Sequence, residues 1–125
     1  MSAPPKWAND LFDAVWWAHG EPQAIPRLTW RRSRVHGLSS GRYLTREHRI
    51  VVTAGKSRQD QKLTLLHEIA HALTPGEHHS DHFWMVAWKL YRRWGVPIKY
   101  AREREGKYRK GSEVAYRATR PRSAA

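Results

Sequence analysis

The fold of this chain is decided by residues 63–73, which read LTLLHEIAHAL. His67, Glu68 and His71 form the pattern HExxH, and the residues around them are uncharged, although charged residues make up 27% of the chain. Residues four positions apart are neighbours on a helix, so both imidazoles project from one face and Glu68 lies beside them. The segment therefore predicts a buried helix that carries a polar triplet.

A metal ion is the simplest partner for this triplet. Burying two histidines and a carboxylate without partners costs several kcal/mol. HExxH on a helix is typical of zinc hydrolases, in which the two histidines bind Zn²⁺ and the glutamate acts as general base. The alternative is a chance pattern on a half-exposed helix, and the apolar flanks argue against it. We predict one Zn²⁺ per chain, bound by His67 and His71, with Glu68 as the catalytic residue.

A third zinc ligand is available directly downstream. Pro75 and Gly76 predict that the helix ends near Thr74. Residues 77–84 then read EHHSDHFW, and they contain three histidines for the one remaining position. On the residues alone the candidates for this position are His78, His79 and His82.

These two segments resemble the SprT-like and WLM zincins, whose pattern is HExxH, a short loop, a ligand histidine, three residues and a Phe. Small metallohydrolases of actinobacteria and their phages are similar in size and motif. The resemblance covers about residues 28–95, and only residues 67–84 are specific. It implies His67, His71 and His79 as metal ligands, Glu68 as general base and Phe83 as a packing residue.

The resemblance also implies a substrate, namely a peptide whose bonds are hydrolysed. In such domains an edge strand borders the cleft and can pair with an extended substrate. The chain has no cysteine, which excludes the C-terminal zinc ribbon that many SprT-like proteins carry. The donor that stabilises the oxyanion stays unassigned among Tyr43, Tyr91, Tyr100, Tyr108 and His36.

Hydrophobic spacing predicts an α+β fold in a single domain over residues 1–125, with disordered ends at 1–5 and 120–125. The resemblance implies that this domain is zincin-like. The predicted helices are Pro5–His19, the HExxH helix Gln59–Thr74, a ligand-bearing helix Asp81–Trp94 capped by Ser80 or Asp81, and a basic C-terminal helix from about Tyr100. The predicted strands are Arg27–His36, Gly41–Arg46 and Arg49–Thr53, in a three-stranded antiparallel meander. No leader or membrane-spanning run is present, so we expect an intracellular, cytoplasmic protein without a membrane partner.

Positive charge is the second strong signal, with 23 Lys and Arg against 11 Asp and Glu and a net charge of +12. Residues 27–49 hold seven Arg and one Glu, and residues 101–125 hold eight Lys or Arg and three Glu. Such fields attract polyanions, so non-specific DNA is a predicted partner, with solubility as the alternative. The predicted contacts are Arg31, Arg32, Arg34, Arg102, Arg104, Lys107, Arg109 and Lys110.

Two other functions remain open at the level of the sequence. The first is a basic nucleic-acid-binding protein with a structural metal site, in which His78 or His82 fills the fourth position of the metal and Glu68 has no catalytic role. The second is a metallohydrolase of a non-peptide substrate. The main prediction is a zinc metallopeptidase that acts on peptides or on DNA-associated proteins.

Overall fold

The computed structural model describes residues 3–31, 40–54, 57–106 and 109–121, and within them the chain is α+β. Residues 1–2 and 122–125, which belong to the predicted disordered ends, lie outside the described residues. The helices are α1 (Lys6–His19), α2 (Arg58–Leu73), α3 (Asp81–Arg93), α4 (Ile98–Glu105) and α5 (Arg109–Ala118). The strands are β1 (Arg27–Arg31), β2 (Gly41–Leu44) and β3 (Arg49–Thr53), and a short 3-10 turn spans Pro22–Ala24.

The first three helices agree with the sequence prediction to within one residue at each end. Serine side chains cap the N-termini of two of these helices. Ser57 caps α2 by accepting a hydrogen bond from the Asp60 N–H, and Ser80 caps α3 by accepting one from the Phe83 N–H. Beyond α3 the prediction of one C-terminal helix is too simple, since α4 and α5 are separate helices.

The sheet is mixed, and the predicted antiparallel meander is wrong. The strand order is β1-β3-β2, with β3 parallel to β1 and antiparallel to β2. β3 takes the centre because Ile50, Val51, Val52 and Thr53 are all buried, so both of its faces need cover. β1 and β2 are less buried and lie at the edges. The predicted extension of β1 to His36 lies outside the described residues.

Helix α2 lies at the centre of the molecule, between the sheet and α3. Its side chains Leu65, Leu66, Ile69 and Ala70 are fully buried. The helix α3 covers the other side of α2 and packs in turn against α5. Among the described residues no helix combines the length and the hydropathy that a bilayer crossing requires.

Strand β2 approaches α2 unusually closely at Gly41. A Cβ atom at this position would lie 2.3 Å from Thr64 Cγ2 and 3.2 Å from Glu68 Cγ. The missing side chain therefore allows the β2 edge to lie directly against the polar stretch of α2. Because Thr64 is β-branched and stiff in a helix, it cannot move aside easily.

We expect Gly41→Ala to reduce the free energy of unfolding by about 1–3 kcal/mol, the usual cost of an overpacked contact. Denaturant titration measures the change through the transition midpoint. Gly106→Ala is the matched control, since nothing lies within 4 Å of its added Cβ. It should leave stability unchanged or raise it by about 0.4–1 kcal/mol.

The double variant Gly41→Ala/Thr64→Ala identifies the contact responsible. Removing Thr64 Cγ2 should restore most of the stability lost in Gly41→Ala, because the two changes act on one contact. Simple additivity of the two single variants would show that the close approach of β2 and α2 is not the cause.

Candidate metal centre

Three histidines meet at the C-terminal part of α2. His67 and His71 come from the HExxH turn, and His79 comes from the loop that leads into α3. One ligand nitrogen from each lies within 4.8 Å of the other two, and the Nε2 atoms of His67 and His79 are 3.3 Å apart. His67 is buried, His71 is half-buried and His79 is exposed, so the cluster opens toward solvent on one side.

His67 is held from behind by a carboxylate of α4. Its Nδ1 lies 2.8 Å from Glu105 Oε1, and the Tyr91 hydroxyl donates a hydrogen bond to the same oxygen. Glu105 and Tyr91 are both buried. Burial by itself would raise the pKa of Glu105, but hydrogen bonds from His67 and Tyr91 and the positive potential of His67 and His79 outweigh it and hold that pKa below its ordinary value.

His71 is packed against an aromatic ring and kept neutral. The Phe83 ring stacks on it at 4.1 Å between centroids and contacts the His67 and His79 rings at 5.1 and 5.0 Å. Burial, together with the neighbouring imidazoles, lowers the pKa of His71 to about 3. A neutral imidazole offers the lone pair that a metal needs.

The loop carrying His79 is fixed by its own hydrogen bonds. Gly76 and His78 adopt positive φ angles of 80° and 54°. Glu77 accepts hydrogen bonds from the Ser80 hydroxyl and from the His82 ring at 3.0 Å. The His79 ring stacks on Trp84, 5.3 Å away, and so is oriented by the first turn of α3.

His78, His79 and His82 were the candidates for the third ligand, and only His79 belongs to the cluster found among the described residues. His82 points to Glu77, with 63% of its side chain exposed. His78 is exposed in the left-handed turn. The geometry thus brings together the ligand set that the resemblance implies.

Glu68 is buried next to the cluster. Burial is the main cause that raises the pKa of Glu68 to about 7, and the negative charge of Glu105 raises it further. The charge of His67 and a hydrogen bond from the Tyr43 backbone N–H act in the opposite direction and lower this pKa. That N–H belongs to β2, so the edge strand borders the carboxylate directly. A bound divalent cation would also favour the ionised form.

The three histidines could hold a metal ion, and their imidazole donors are compatible with zinc. Tetrahedral zinc with Zn–N distances of about 2.0–2.1 Å separates its ligand atoms by about 3.3–3.4 Å. The 3.3 Å between the Nε2 atoms of His67 and His79 suits this separation, and it also suits a hydrogen bond in the absence of metal. Three imidazoles are a donor set that zinc favours, and other first-row metals accept it as well.

Sequence reasoning missed Glu105, because it lies 38 residues from His67 in the chain. The burial of Ala101 and Glu105, four residues apart on the largely charged helix α4, becomes visible only in the structure. Tyr91 was considered as an oxyanion donor, but its hydroxyl is engaged with Glu105. The Tyr43 hydroxyl is likewise bonded to His48 at 2.7 Å.

The residues predicted to contact nucleic acid differ in whether their side chains are paired within the protein, exposed or outside the described residues. The Arg31 Nε donates to Thr53 Oγ1 at 3.0 Å. Arg102 pairs with Glu113 at 2.8 Å, Arg104 pairs with Asp60 at 2.6 Å, and both remain partly exposed. Lys110 is exposed on α5. The remaining candidates fall outside the described residues (Arg32, Arg34, Lys107) or have an undescribed side chain (Arg109).

Comparison with known proteins finds no family model, no curated protein and no solved structure that matches this chain. The resemblance to SprT-like and WLM zincins therefore remains a prediction from the motif.

We expect the purified protein to bind about one zinc per chain, and His67→Ala, His71→Ala and His79→Ala each to lose most of it, because a site with three protein ligands has little redundancy. Elemental analysis after dialysis measures the content. His78→Ala and His82→Ala are matched controls that should retain zinc. Full zinc in His79→Ala with loss in either control would show that the third ligand is another histidine.

Proposed function

We propose that this chain is a zinc-dependent hydrolase of peptide bonds. The observation that carries the proposal is the meeting of His67, His71 and His79 with buried Glu68 at one place on α2. Three imidazoles can bind the metal, and the carboxylate beside them can move a proton. These are the two components that metal-assisted hydrolysis requires.

An open metal position supports hydrolysis over a purely structural site. Structural zinc is usually closed by four protein ligands, whereas catalytic zinc keeps one position for water or substrate. Within the described ranges the cluster contains three ligating side chains and no fourth. The exposure of His79 leaves the solvent side of the cluster accessible.

Glu68 supplies the proton transfers in this proposal. Zn²⁺, when bound, lowers the pKa of water and polarises a substrate carbonyl. Glu68 takes the proton of the attacking water and passes it to the leaving amine nitrogen. Burial raises the pKa of Glu68 and a bound cation would oppose that shift, so the carboxylate form that accepts a proton is favoured when the metal is present.

Strand β2 supports a peptide as the substrate. Among the described residues it is an edge strand, and its Tyr43 N–H is directed to Glu68. Extended peptides bind such edges through main-chain hydrogen bonds. A substrate aligned along β2 would lie beside Glu68, which favours an extended peptide over other hydrolysable groups.

Nucleic-acid binding is a second proposal, favoured by an arginine cluster on the α3–α5 face. The Tyr116 ring lies under the guanidinium groups of Arg92, Arg102 and Arg120, at 5.0, 4.3 and 5.8 Å. Arg117, the residue after Tyr116, is exposed on α5 and pairs with Glu113 at 3.1 Å. Basic groups interleaved with an aromatic ring suit a phosphate backbone and its bases.

We expect Glu68→Gln to bind zinc like the wild type and to lose hydrolysis by about 10²- to 10⁴-fold, the usual contribution of a general base. The amide preserves shape and hydrogen bonding but cannot take the proton. The assay follows cleavage of a labelled, unfolded protein by zinc-loaded enzyme, with and without DNA.

Glu103→Gln is the control for this comparison, because Glu103 is exposed on α4 and the chemical change is identical. It should cleave at the wild-type rate. Equal activity of Glu68→Gln and the wild type would rule out the proposed mechanism.

We expect DNA to bind the arginine cluster without sequence preference, through phosphate contacts. With roughly four to six contacts, log affinity should fall against log salt with a slope of about −3 to −5. Replacing Arg117 and Arg120 with Gln should flatten the slope by up to about 1.8 on duplex DNA.

The double variant Lys6→Gln/Arg58→Gln removes the same charge from α1 and the start of α2 and should leave the salt slope unchanged. Equal flattening by both double variants would mean that net charge, and not this surface, governs binding. Undetectable binding at about 50 mM salt, where phosphate contacts are strong, would assign the charge to solubility or to an acidic protein.

A further inference from the structure

We infer that Glu105 is a positioning residue of the metal centre: it holds His67 by its Nδ1 so that the Nε2 lone pair faces His71 and His79. The inference rests on the metal-binding part of the proposed function and is independent of the substrate. It adds helix α4 to a site that the motif alone confines to residues 67–84.

In the neutral form of His67, which is the form that binds a metal, the hydrogen-bond geometry fixes which nitrogen carries the proton. Two groups converge on Glu105 Oε1, namely the Tyr91 hydroxyl and His67 Nδ1 at 2.8 Å. A carboxylate oxygen can only accept, so both groups donate to it. A neutral imidazole has one N–H, and with that N–H on Nδ1 the Nε2 atom is left with a lone pair.

The free lone pair is directed where a metal ligand is needed. His67 Nε2 is 3.3 Å from His79 Nε2 and belongs to the three-histidine cluster. Glu105 contacts the opposite side of the ring and lies outside the cluster. A carboxylate in this position fixes the tautomer and orientation of a metal-binding histidine and makes it more basic.

The surroundings of Glu105 show that the contact is built into the fold. Its side chain is only 5% exposed, in a helix whose other buried residue is Ala101. Next to it on α4, Arg104 pairs with Asp60 of α2 at 2.6 Å. Both interactions attach α4 to the helix that carries His67. A buried carboxylate is costly unless it is fully paired, and His67 and Tyr91 provide that pairing.

The test begins with metal-free wild-type protein and needs no catalysis. Long-range ¹H–¹⁵N correlation spectra report the tautomer of each histidine. We expect His67 to carry its proton on Nδ1, opposite to the usual preference of a free histidine side chain for Nε2–H. A His67 ring protonated on Nε2 in the wild type would overturn the inference, whether or not the protein hydrolyses peptides.

Two substitutions then separate hydrogen bonding from charge. Glu105→Leu removes the acceptor, so we expect loss of the Nδ1–H tautomer and about 10- to 100-fold weaker zinc binding. Glu105→Gln keeps an oxygen acceptor, so the tautomer should persist with a smaller loss of affinity. Competition with a chromophoric chelator measures both affinities.

Glu103→Leu and Glu103→Gln are the matched controls, two residues away on the exposed side of α4. Both should bind zinc as tightly as the wild type. A folded Glu105→Leu variant with wild-type zinc affinity and wild-type tautomer would overturn the inference. If Glu105→Leu does not fold, the wild-type spectrum and the Glu105→Gln variant decide. Failure of the wild type to bind zinc would instead refute the proposed metal centre and leave the tautomer result standing.

Discussion

The burial of polar groups on helix α2 is the constraint on which the rest of the structure depends. α2 has to supply core residues such as Leu66 and Ile69 while it carries His67 and Glu68, which are nearly as buried. Each polar group therefore needs a partner. Glu105 serves His67, the edge of β2 serves Glu68, and Phe83 covers the ring of His71.

These partners come from three directions and explain the architecture around α2. The sheet approaches from one side, and the absence of a side chain at Gly41 allows β2 to reach Glu68. The helix α3 brings Phe83 and Trp84 against His71 and His79. α4 closes the remaining side with Glu105. Removing β2 or α4 would leave buried Glu68 or His67 without its polar partner, so fold and site are coupled.

Much of this arrangement could be predicted because its determinants are local. The HExxH spacing, the helix stop at Pro75 and the cap at Ser80 lie within one or two turns of the residues that they position. The sheet order and Glu105 could not be predicted in this way. The parallel pairing of β1 with β3 depends on burial of both faces of β3, and Glu105 meets His67 only through the packing of α4.

The most direct test of the central claim is X-ray diffraction at the zinc absorption edge from crystals of the zinc-loaded protein. The account predicts one anomalous peak at about 2.0–2.1 Å from a nitrogen of each of three histidines, the usual zinc–imidazole distance. These are His67, through Nε2, and His71 and His79, with a solvent molecule as the remaining ligand. A peak closed by a fourth protein side chain, or no peak at this cluster, would contradict it.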